Sequence, residues 1–141
     1  MYDVVIIGGG AIGTTIARYI SKYDNKIALL EKNIEVCQET TKANSAIVHG
    51  GYDNKPGSLK ARLNVRGAEL YPKLAKELDF TYINTGSLVL AFDEEDDKMI
   101  EELYERGLEN KVPGLEIIDS DRVKQLEPSV SDKVTSALYC S

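Results

Sequence analysis

Residues 1–31, MYDVVIIGGGAIGTTIARYISKYDNKIALLE, contain the pattern that decides the fold. Tyr2–Ile7 is an apolar, β-branched run ending at glycine, which is typical of a strand buried on both faces of a parallel sheet. From Ala11 the apolar residues recur at helical spacing, and Lys26–Glu31 predicts a second buried strand. A strand, a helix and a strand within 31 residues predict a βαβ unit, and hence an α/β, Rossmann-like fold.

The glycines that follow the first strand fit the G-x-G-x-x-G pattern of dinucleotide-binding loops. Gly8 permits a tight turn, Gly10 lacks a Cβ and lets a pyrophosphate approach the backbone, and Gly13 lets the helix pack closely on the strand. Free N–H groups at the start of the helix, at Ala11 and Ile12, then favour binding of the phosphates.

Glu31 ends the second strand, 18 residues after Gly13. A carboxylate at this point can accept hydrogen bonds from both ribose hydroxyls, and it repels a 2′-phosphate. The complete pattern therefore predicts an adenine dinucleotide and disfavours a glycine-rich turn without a ligand. The pattern does not separate FAD from NAD, although Glu31 followed by Lys32 leans towards FAD.

The remainder of the chain predicts further helices and strands. Ser58 is predicted to be the N-cap of a long helix that Pro72 should kink or split. Strands at 81–83 and 87–92, a helix capped by Asp93 and running to about Asn110, a helix at 120–126 and a strand at 134–140 follow. The buried positions predicted on the two long helices are Leu59, Leu63, Leu70, Leu74 and Leu78, and Met99, Ile100, Leu103, Tyr104 and Leu108. Because the last strand is cut short, we expect a fragment of a larger protein.

Composition excludes several classes of function. The chain is 43% hydrophobic and 28% charged, as in ordinary soluble globular proteins. Cys37 and Cys140 lie far apart with no secretory signal, so we expect free thiols, a cytoplasmic location and no metal site. Residues 1–79 carry 11 Lys/Arg against 9 Asp/Glu, and residues 80–141 carry 6 against 14. This balance lacks the basic field of a nucleic-acid binder.

Residues 40–52, TTKANSAIVHGGY, are too polar and too rich in glycine to form core. His49 is the only histidine, and the small residues beside it would let a planar ring approach, which favours a cofactor or substrate contact. A structural or merely exposed histidine is the alternative. The charge of +4 between Lys42 and Arg66 suits an anionic substrate, although exposed helix lysines account for much of it.

The run ANSAIVHGGYDNKPGSLKARLNVRGAEL, residues 43–70, resembles the flavin-proximal segment of the D-amino-acid-oxidase-like superfamily of FAD enzymes. More narrowly, it is similar to FAD-dependent glycerol-3-phosphate dehydrogenases of the anaerobic, large-subunit type and to L-2-hydroxyglutarate oxidases. TGSLVLAF, LYERGLENKVPGLEII and LEPSVS, later in the chain, have counterparts in both groups. The resemblance implies that residues 1–79 begin an FAD-binding domain and that residues 80–141 begin an α+β substrate (cap) domain.

Carried over residue by residue, the resemblance implies a set of FAD contacts. The pyrophosphate is bound at the glycine loop, Glu31 holds the adenosine ribose, and Lys32 lies beside the adenine. His49 lies near the flavin and the substrate carbon and is the catalytic candidate, with its role as a base left open. The remaining implied contacts are Thr40, Thr41, Asn44 and Ser45 to pyrophosphate, ribityl or flavin, and Ile47, Val48 and Gly50 along the isoalloxazine.

The sequence departs from both groups at Ala46, which stands where they commonly have glycine. Tyr52 and Asp53 stand where the aerobic glycerol-phosphate enzymes have a phosphate-binding arginine, so the aerobic type fits poorly. The HGGYD form, with the preceding TxKANS, favours the anaerobic type over the hydroxyglutarate oxidases.

The resemblance implies oxidation of a secondary alcohol by hydride transfer to flavin, with sn-glycerol 3-phosphate giving dihydroxyacetone phosphate. Oxidation of L-2-hydroxyglutarate is the alternative. Electrons would pass to a quinone or a partner subunit, with peripheral membrane association of the full enzyme, and the isolated 141 residues are expected to be inactive. Two other classes stay open: an NAD-binding dehydrogenase domain, and a non-catalytic nucleotide-binding or interaction module that uses the acidic helix at 94–110.

Overall fold

The computed structural model describes residues 1–141, which divide into two compact units, Met1–Ile47 and Val48–Ser141. The first unit contains strand β1 (Val4–Ile7), helix α1 (Ala11–Ile20) and strand β2 (Ile27–Leu30). The second unit contains α2 (Leu59–Leu78), β3 (Ser87–Ala91), α3 (Glu94–Glu109), β4 (Leu115–Asp119), α4 (Ser120–Leu126) and β5 (Ser136–Cys140).

The first unit is the predicted βαβ unit. β1 and β2 pair in parallel, with Val4 opposite Ile27, and α1 connects them. Ile6 is buried, whereas Val5 and Ile7 are 53% and 87% exposed. The expectation that β1 is buried on both faces is therefore wrong within this chain, because two strands and one helix cover only one face of the sheet.

The second unit is built on an antiparallel sheet in the order β3-β5-β4. Ser87 of β3 and Leu115 of β4 both pair with Cys140 of β5, so the last strand in sequence is the central one. The strand at 87–92 is confirmed, and the strand predicted from Val134 begins at Ser136. The strand predicted at 81–83 does not form, and β4 was not predicted.

Side chains on the two faces of this sheet belong to two hydrophobic clusters, as the alternation along a strand requires. Leu138 lies in a cluster with Ile100 of α3, and the neighbouring Ala137 lies in a cluster with Val123 of α4. Asp93 caps α3 by accepting hydrogen bonds from two backbone N–H groups, as predicted. Met99 and Leu108, predicted to face inward on α3, are instead more than half exposed.

Helix α2 differs from its prediction in the face that it buries. Ser58 caps it by accepting a hydrogen bond from the Ala61 N–H at 3.1 Å, and Pro72 does not split it. Ala61 and Val65 are the buried residues, one turn apart, and Val65 packs in the cluster of Ile100 and Leu138. The predicted leucine stripe is wrong at Leu59, Leu63 and Leu78, which are exposed.

The predicted domain boundary between residues 79 and 80 stays a prediction about the larger protein. None of the helices combines the length and the apolar character that a membrane span needs.

Candidate functional site

The glycine loop between β1 and α1 has the geometry that each glycine position requires. Gly8 has a φ of +100°, a conformation that residues with a Cβ rarely adopt. A Cβ at Gly13 would lie 1.9 Å from the Gly8 carbonyl oxygen, so no side chain fits between α1 and the loop. A Cβ at Gly10 would meet only the Thr41 hydroxyl, at 3.2 Å, and so would otherwise point into open space.

Glu31 is bound to this loop through a glycine that the sequence pattern does not single out. Its carboxylate accepts hydrogen bonds from the Gly9 N–H at 2.7 Å and from the Asn33 N–H at 2.9 Å. A Cβ at Gly9 would lie 2.9 Å from a Val36 methyl group and 3.1 Å from the Glu31 carboxylate, so a side chain here would displace its neighbours. Its place in the middle of an unbroken run of three glycines was the only signal for it in the sequence.

The same two hydrogen bonds favour the ionised form of Glu31. The N–H groups of Asn33 and Gly9 stabilise the carboxylate and hold the pKa of Glu31 below its ordinary value. Lys32 forms an ion pair with Glu39 at 2.5 Å, and this hydrogen bond raises the pKa of Lys32. At neutral pH the loop therefore faces an ionised carboxylate that can accept hydrogen bonds from hydroxyl groups.

The N-terminus of α1 offers backbone donors, but not all of the predicted ones. The Ala11 N–H donates to the Thr41 hydroxyl at 3.0 Å, so it is already engaged. The N–H groups of Ile12 and Gly13 have no partner in the chain, as expected for the first turn of a helix. These two donors, at the positive end of the helix dipole, are suited to an anion.

Two grooves border the glycine loop in the first unit. The Glu31 groove, about 320 Å³, is lined by the loop and by residues 30–33 and 37–41. The Ile12 groove, about 630 Å³, lies along the start of α1 and is lined by Ile12, Ile16 and Asn44 among others. Both are in the size range of ligand sites. The residues that line both grooves are Ile7, Gly8, Gly10, Thr40 and Thr41.

Hydrogen bonds within residues 41–46, in the segment after β2, stabilise a turn. The Asn44 carboxamide donates to the Thr41 carbonyl and accepts from the Ala46 N–H. Ala46 has a φ of +55°, in the left-handed region that favours glycine, which gives a physical reason for the glycine expected there by resemblance. Ser45 and Ile47, also predicted cofactor contacts, are exposed in this segment.

The remaining predicted site residues, Val48, His49 and Gly50, belong to the second unit. The His49 side chain is exposed, and the residues directly after it are packed against the unit's core. A Cβ at Gly50 would lie 2.8 Å from the Cys140 sulfur, and Gly51 adopts a φ of +100°. His49 thus projects from a backbone whose next residues are closely packed.

Both cysteines are free thiols, as predicted. Burial raises the pKa of the Cys140 thiol, which favours its neutral form. No group of three His, Cys, Asp or Glu side chains is arranged to hold a metal ion.

Comparison with known proteins agrees with this geometry. The DAO family, described as FAD dependent oxidoreductase, matches residues 3–141. The chain is 49% identical over 139 residues to the glycerol 3-phosphate dehydrogenase of Caloramator mitchellensis, covering 99% of this chain and 29% of that protein. It is 38% identical over 129 residues to the mitochondrial L-2-hydroxyglutarate dehydrogenase of Homo sapiens, covering 90% of this chain and 28% of that protein.

A solved structure shares the fold over nearly the whole chain. It is L-alpha-glycerophosphate oxidase from Mycoplasma pneumoniae with FAD bound, with a TM-score of 0.88 and 32% identity, covering 99% of this chain and 37% of that one. The chain thus spans about a third of the length of the relatives it matches. A family match over residues 3–141 establishes that the chain belongs to the DAO family of FAD dependent oxidoreductases, and that its cofactor is FAD rather than NAD.

Proposed function

We propose that this chain is the N-terminal part of a dehydrogenase that oxidises sn-glycerol 3-phosphate to dihydroxyacetone phosphate. The observation that carries the proposal is the 49% identity to the glycerol 3-phosphate dehydrogenase of Caloramator mitchellensis over 139 residues, which include the whole glycine loop and the segment around His49. Because the chain covers 29% of that relative, the activity belongs to the longer protein of which this chain forms a part.

The first unit would hold the adenosine and pyrophosphate parts of FAD. Three features fit this cofactor: an ionised Glu31 that can accept from ribose hydroxyls, a Gly10 with no side chain in the grooves, and unpaired N–H groups at Ile12 and Gly13. The Glu31 groove suits the adenosine, and the Ile12 groove suits the part of the cofactor beyond the pyrophosphate. Thr40, Thr41, Asn44, Ser45 and Lys32 are the further proposed contacts.

The segment at Ile47–Gly50 would contribute to the flavin end of the site. Bound FAD supplies the acceptor for the hydride that leaves the carbinol carbon. His49 is exposed and flanked by small residues, so its side chain is free to approach the flavin ring and the substrate. We assign His49 to a position beside both and leave open whether it transfers a proton. The chain's part in the reaction is alignment of the reacting groups, which accounts for a large share of catalysis in such sites.

An anionic substrate agrees with the charges that follow His49. Lys55, Lys60 and Arg62 are exposed and form no ion pair within the chain, whereas Arg66 is paired with Glu69 at 2.9 Å. Three uncompensated cations favour a phosphate or a carboxylate ligand through long-range attraction. They do not separate the two candidate substrates, both of which are anions.

L-2-hydroxyglutarate is the second candidate substrate, because the human L-2-hydroxyglutarate dehydrogenase is 38% identical over 129 residues. We favour glycerol 3-phosphate because the identity to the glycerol 3-phosphate dehydrogenase is higher and extends over 10 more residues, 139 against 129. An electron acceptor, either a quinone or a partner subunit, and a peripheral association with the membrane through such a partner complete the proposal.

The test is anaerobic reduction of the flavin in the full-length protein. The purified protein should be yellow, and its visible flavin absorbance should bleach on addition of sn-glycerol 3-phosphate and much more slowly with L-2-hydroxyglutarate. The reverse order would transfer the function to the second candidate. A yellow protein that neither compound bleaches would overturn both.

A matched pair of variants tests the role of the segment after Ile47. His49→Ala should slow bleaching while leaving the flavin content near that of the wild type, because the adenosine and pyrophosphate contacts lie elsewhere. Asn84→Asp, an exposed position outside the proposed site, should change neither quantity. Equal rates for His49→Ala and wild type would remove His49 from the reaction.

A further inference from the structure

The carboxamide of Asn110 bridges two carbonyl groups in the turn that follows His49. Asn110 is the C-cap of α3, and its side-chain nitrogen donates to the Gly51 carbonyl at 3.0 Å and to the Asn54 carbonyl at 2.7 Å. Its own backbone N–H is held by the Arg106 carbonyl at 3.0 Å. One amide group thus joins two points of the turn to a fixed helix end, across 56 to 59 residues of sequence.

Further contacts fix the same turn, residues 50–54. Arg106, one turn before Asn110, donates to the Asp53 carbonyl at 3.1 Å. Gly107 lies so close to Tyr52 that an added Cβ would stand 3.0 Å from the Tyr52 Cβ. Asn54 is 4% exposed, so the end of the turn is buried. The backbone is therefore held from Gly50 onwards, while the His49 side chain directly before it is exposed.

The two hydrogen bonds of Asn110 need a group that donates twice. A carboxamide NH₂ has two hydrogens for two carbonyl oxygens, and a carboxylate has none. In an Asn110→Asp variant of nearly the same shape, a carboxylate oxygen would face the Gly51 and Asn54 carbonyls at about 3 Å, where like partial charges repel. The turn would move away from α3, and its displacement would be passed to the adjoining His49.

We propose that Asn110, with Arg106 as a second donor, is a positioning residue that fixes the direction in which His49 projects into the reaction site. The proposal rests on the proposed function, in that His49 works beside the flavin. The hydrogen bonds of the Asn110 side chain both go to the turn. It acts through backbone geometry, and a displacement of about 1 Å in a reacting group is enough to cost about 100-fold in rate.

The experiment uses the full-length, FAD-loaded protein and a double-mutant cycle of His49→Ala and Asn110→Asp, with Asn84→Asp as the control. Asn110→Asp should retain flavin near the wild-type content and lose about 100-fold in the bleaching rate at saturating substrate, with KM changed by less than about threefold. The double variant should be no slower than His49→Ala, because the effect of Asn110 passes through His49. Asn84→Asp should match the wild type.

The outcomes separate this proposal from the proposed function. If His49→Ala slows bleaching but Asn110→Asp does not, or the two losses add in the double variant, the positioning role is overturned while the function stands. If neither substrate bleaches the wild type, the visible spectrum of the oxidised flavin decides: its maxima should shift in Asn110→Asp and not in Asn84→Asp, and an unshifted spectrum overturns the role. Should Asn110→Asp not fold, Asn110→Ala is judged by the same criteria.

Discussion

Three glycines lie inside helices, and their surroundings predict three different effects of the same substitution to alanine. In an open helical position the change removes the excess backbone entropy of glycine, which stabilises a protein by about 0.5–1 kcal/mol. Gly67 of α2 has no atom within 4 Å of an added Cβ, so it should show this gain in full. We expect the Gly67→Ala melting midpoint to rise by about 2 °C.

Gly13 should show the opposite sign. Its added Cβ would lie 1.9 Å from the Gly8 carbonyl oxygen. Because Cβ atoms essentially never come within 3.0 Å of a non-bonded atom, α1 would have to move away from the loop by at least 1.1 Å. The obstacle is backbone, which cannot rotate away as a side chain can. Overpacking of this kind costs about 1–3 kcal/mol or more and outweighs the helix-propensity gain.

Gly107 of α3 lies between these cases. An added Cβ would meet the Leu115 side-chain end at 2.3 Å, which can move, and the Tyr52 Cβ at 3.0 Å, which moves less easily. A loss of about 1 kcal/mol is expected.

The assay is thermal unfolding of the flavin-loaded, full-length protein, with flavin release and circular dichroism recorded together. Gly13→Ala should release flavin about 5 °C below the wild type. Retention of flavin to the wild-type temperature in Gly13→Ala, or a destabilised Gly67→Ala, would refute the reasoning. The order of the three variants follows from the distance to the nearest atom and from whether that atom belongs to the backbone or to a side chain.

Three further predictions concern ionisation and backbone strain. Glu31→Gln should weaken FAD binding in a titration of the apoprotein, because one amide oxygen cannot replace a carboxylate that accepts from two N–H groups. Because the pKa of Glu31 lies below its ordinary value of 4.5, the wild-type protein should still bind FAD at pH 4.5. Binding should be lost only as the pH falls through the depressed pKa. Cys140 should be alkylated more slowly than Cys37 at neutral pH, as followed by peptide mass spectrometry. Burial raises the pKa of the Cys140 thiol above its ordinary value of 9.0. The contribution of this thiol to the free energy of unfolding should therefore be constant below pH 9.0 and decline as the pH rises through its pKa in the folded protein. Ala46→Gly should raise the flavin-release midpoint slightly, because the left-handed strain relieved, about 1 kcal/mol, exceeds the added entropy of glycine; a lower midpoint would argue against that backbone conformation.

The parts of the fold that follow from local pattern were predictable from the sequence. The βαβ unit is short, its turns are marked by glycine, and its helix and strands differ clearly in apolar spacing. The Asp93 cap was predicted for the same reason, since a capping side chain acts within one turn. The helix Ser120–Leu126 was also predicted, ending shortly before Pro128.

Features that depend on tertiary contacts were not predictable in this way. In the five-residue strand β4, Leu115 and Ile118 are buried and the two residues between them are exposed. Burial therefore does not alternate along the strand, and pairing with β5 determines its conformation. The leucines of α2 match a helical stripe, yet the unit's core contacts the helix at Val65. Three of the five, Leu59, Leu63 and Leu78, stay exposed.

The residues of the candidate site also divide into those that the sequence pattern predicts and those that depend on tertiary contacts. Gly8, Gly10, Gly13 and Glu31 are recognisable because their spacing along the chain reflects the turn and the strand that they occupy. Asn110 is not recognisable, because its partners precede it by 56 to 59 residues and a C-cap asparagine is common in any helix.

The order β3-β5-β4 has a consequence for synthesis of the protein on the ribosome. Both β3 and β4 pair only with residues 136–140, so the ladder hydrogen bonds of this sheet must wait until those residues have emerged. Until then Ser87–Ala91 and Leu115–Asp119 are strands with open edges, and such edges attract other chains. The nascent protein therefore exposes unpaired strand segments from the emergence of Ser87–Ala91 until residues 136–140 have emerged, and a pause in that interval would lengthen the exposure.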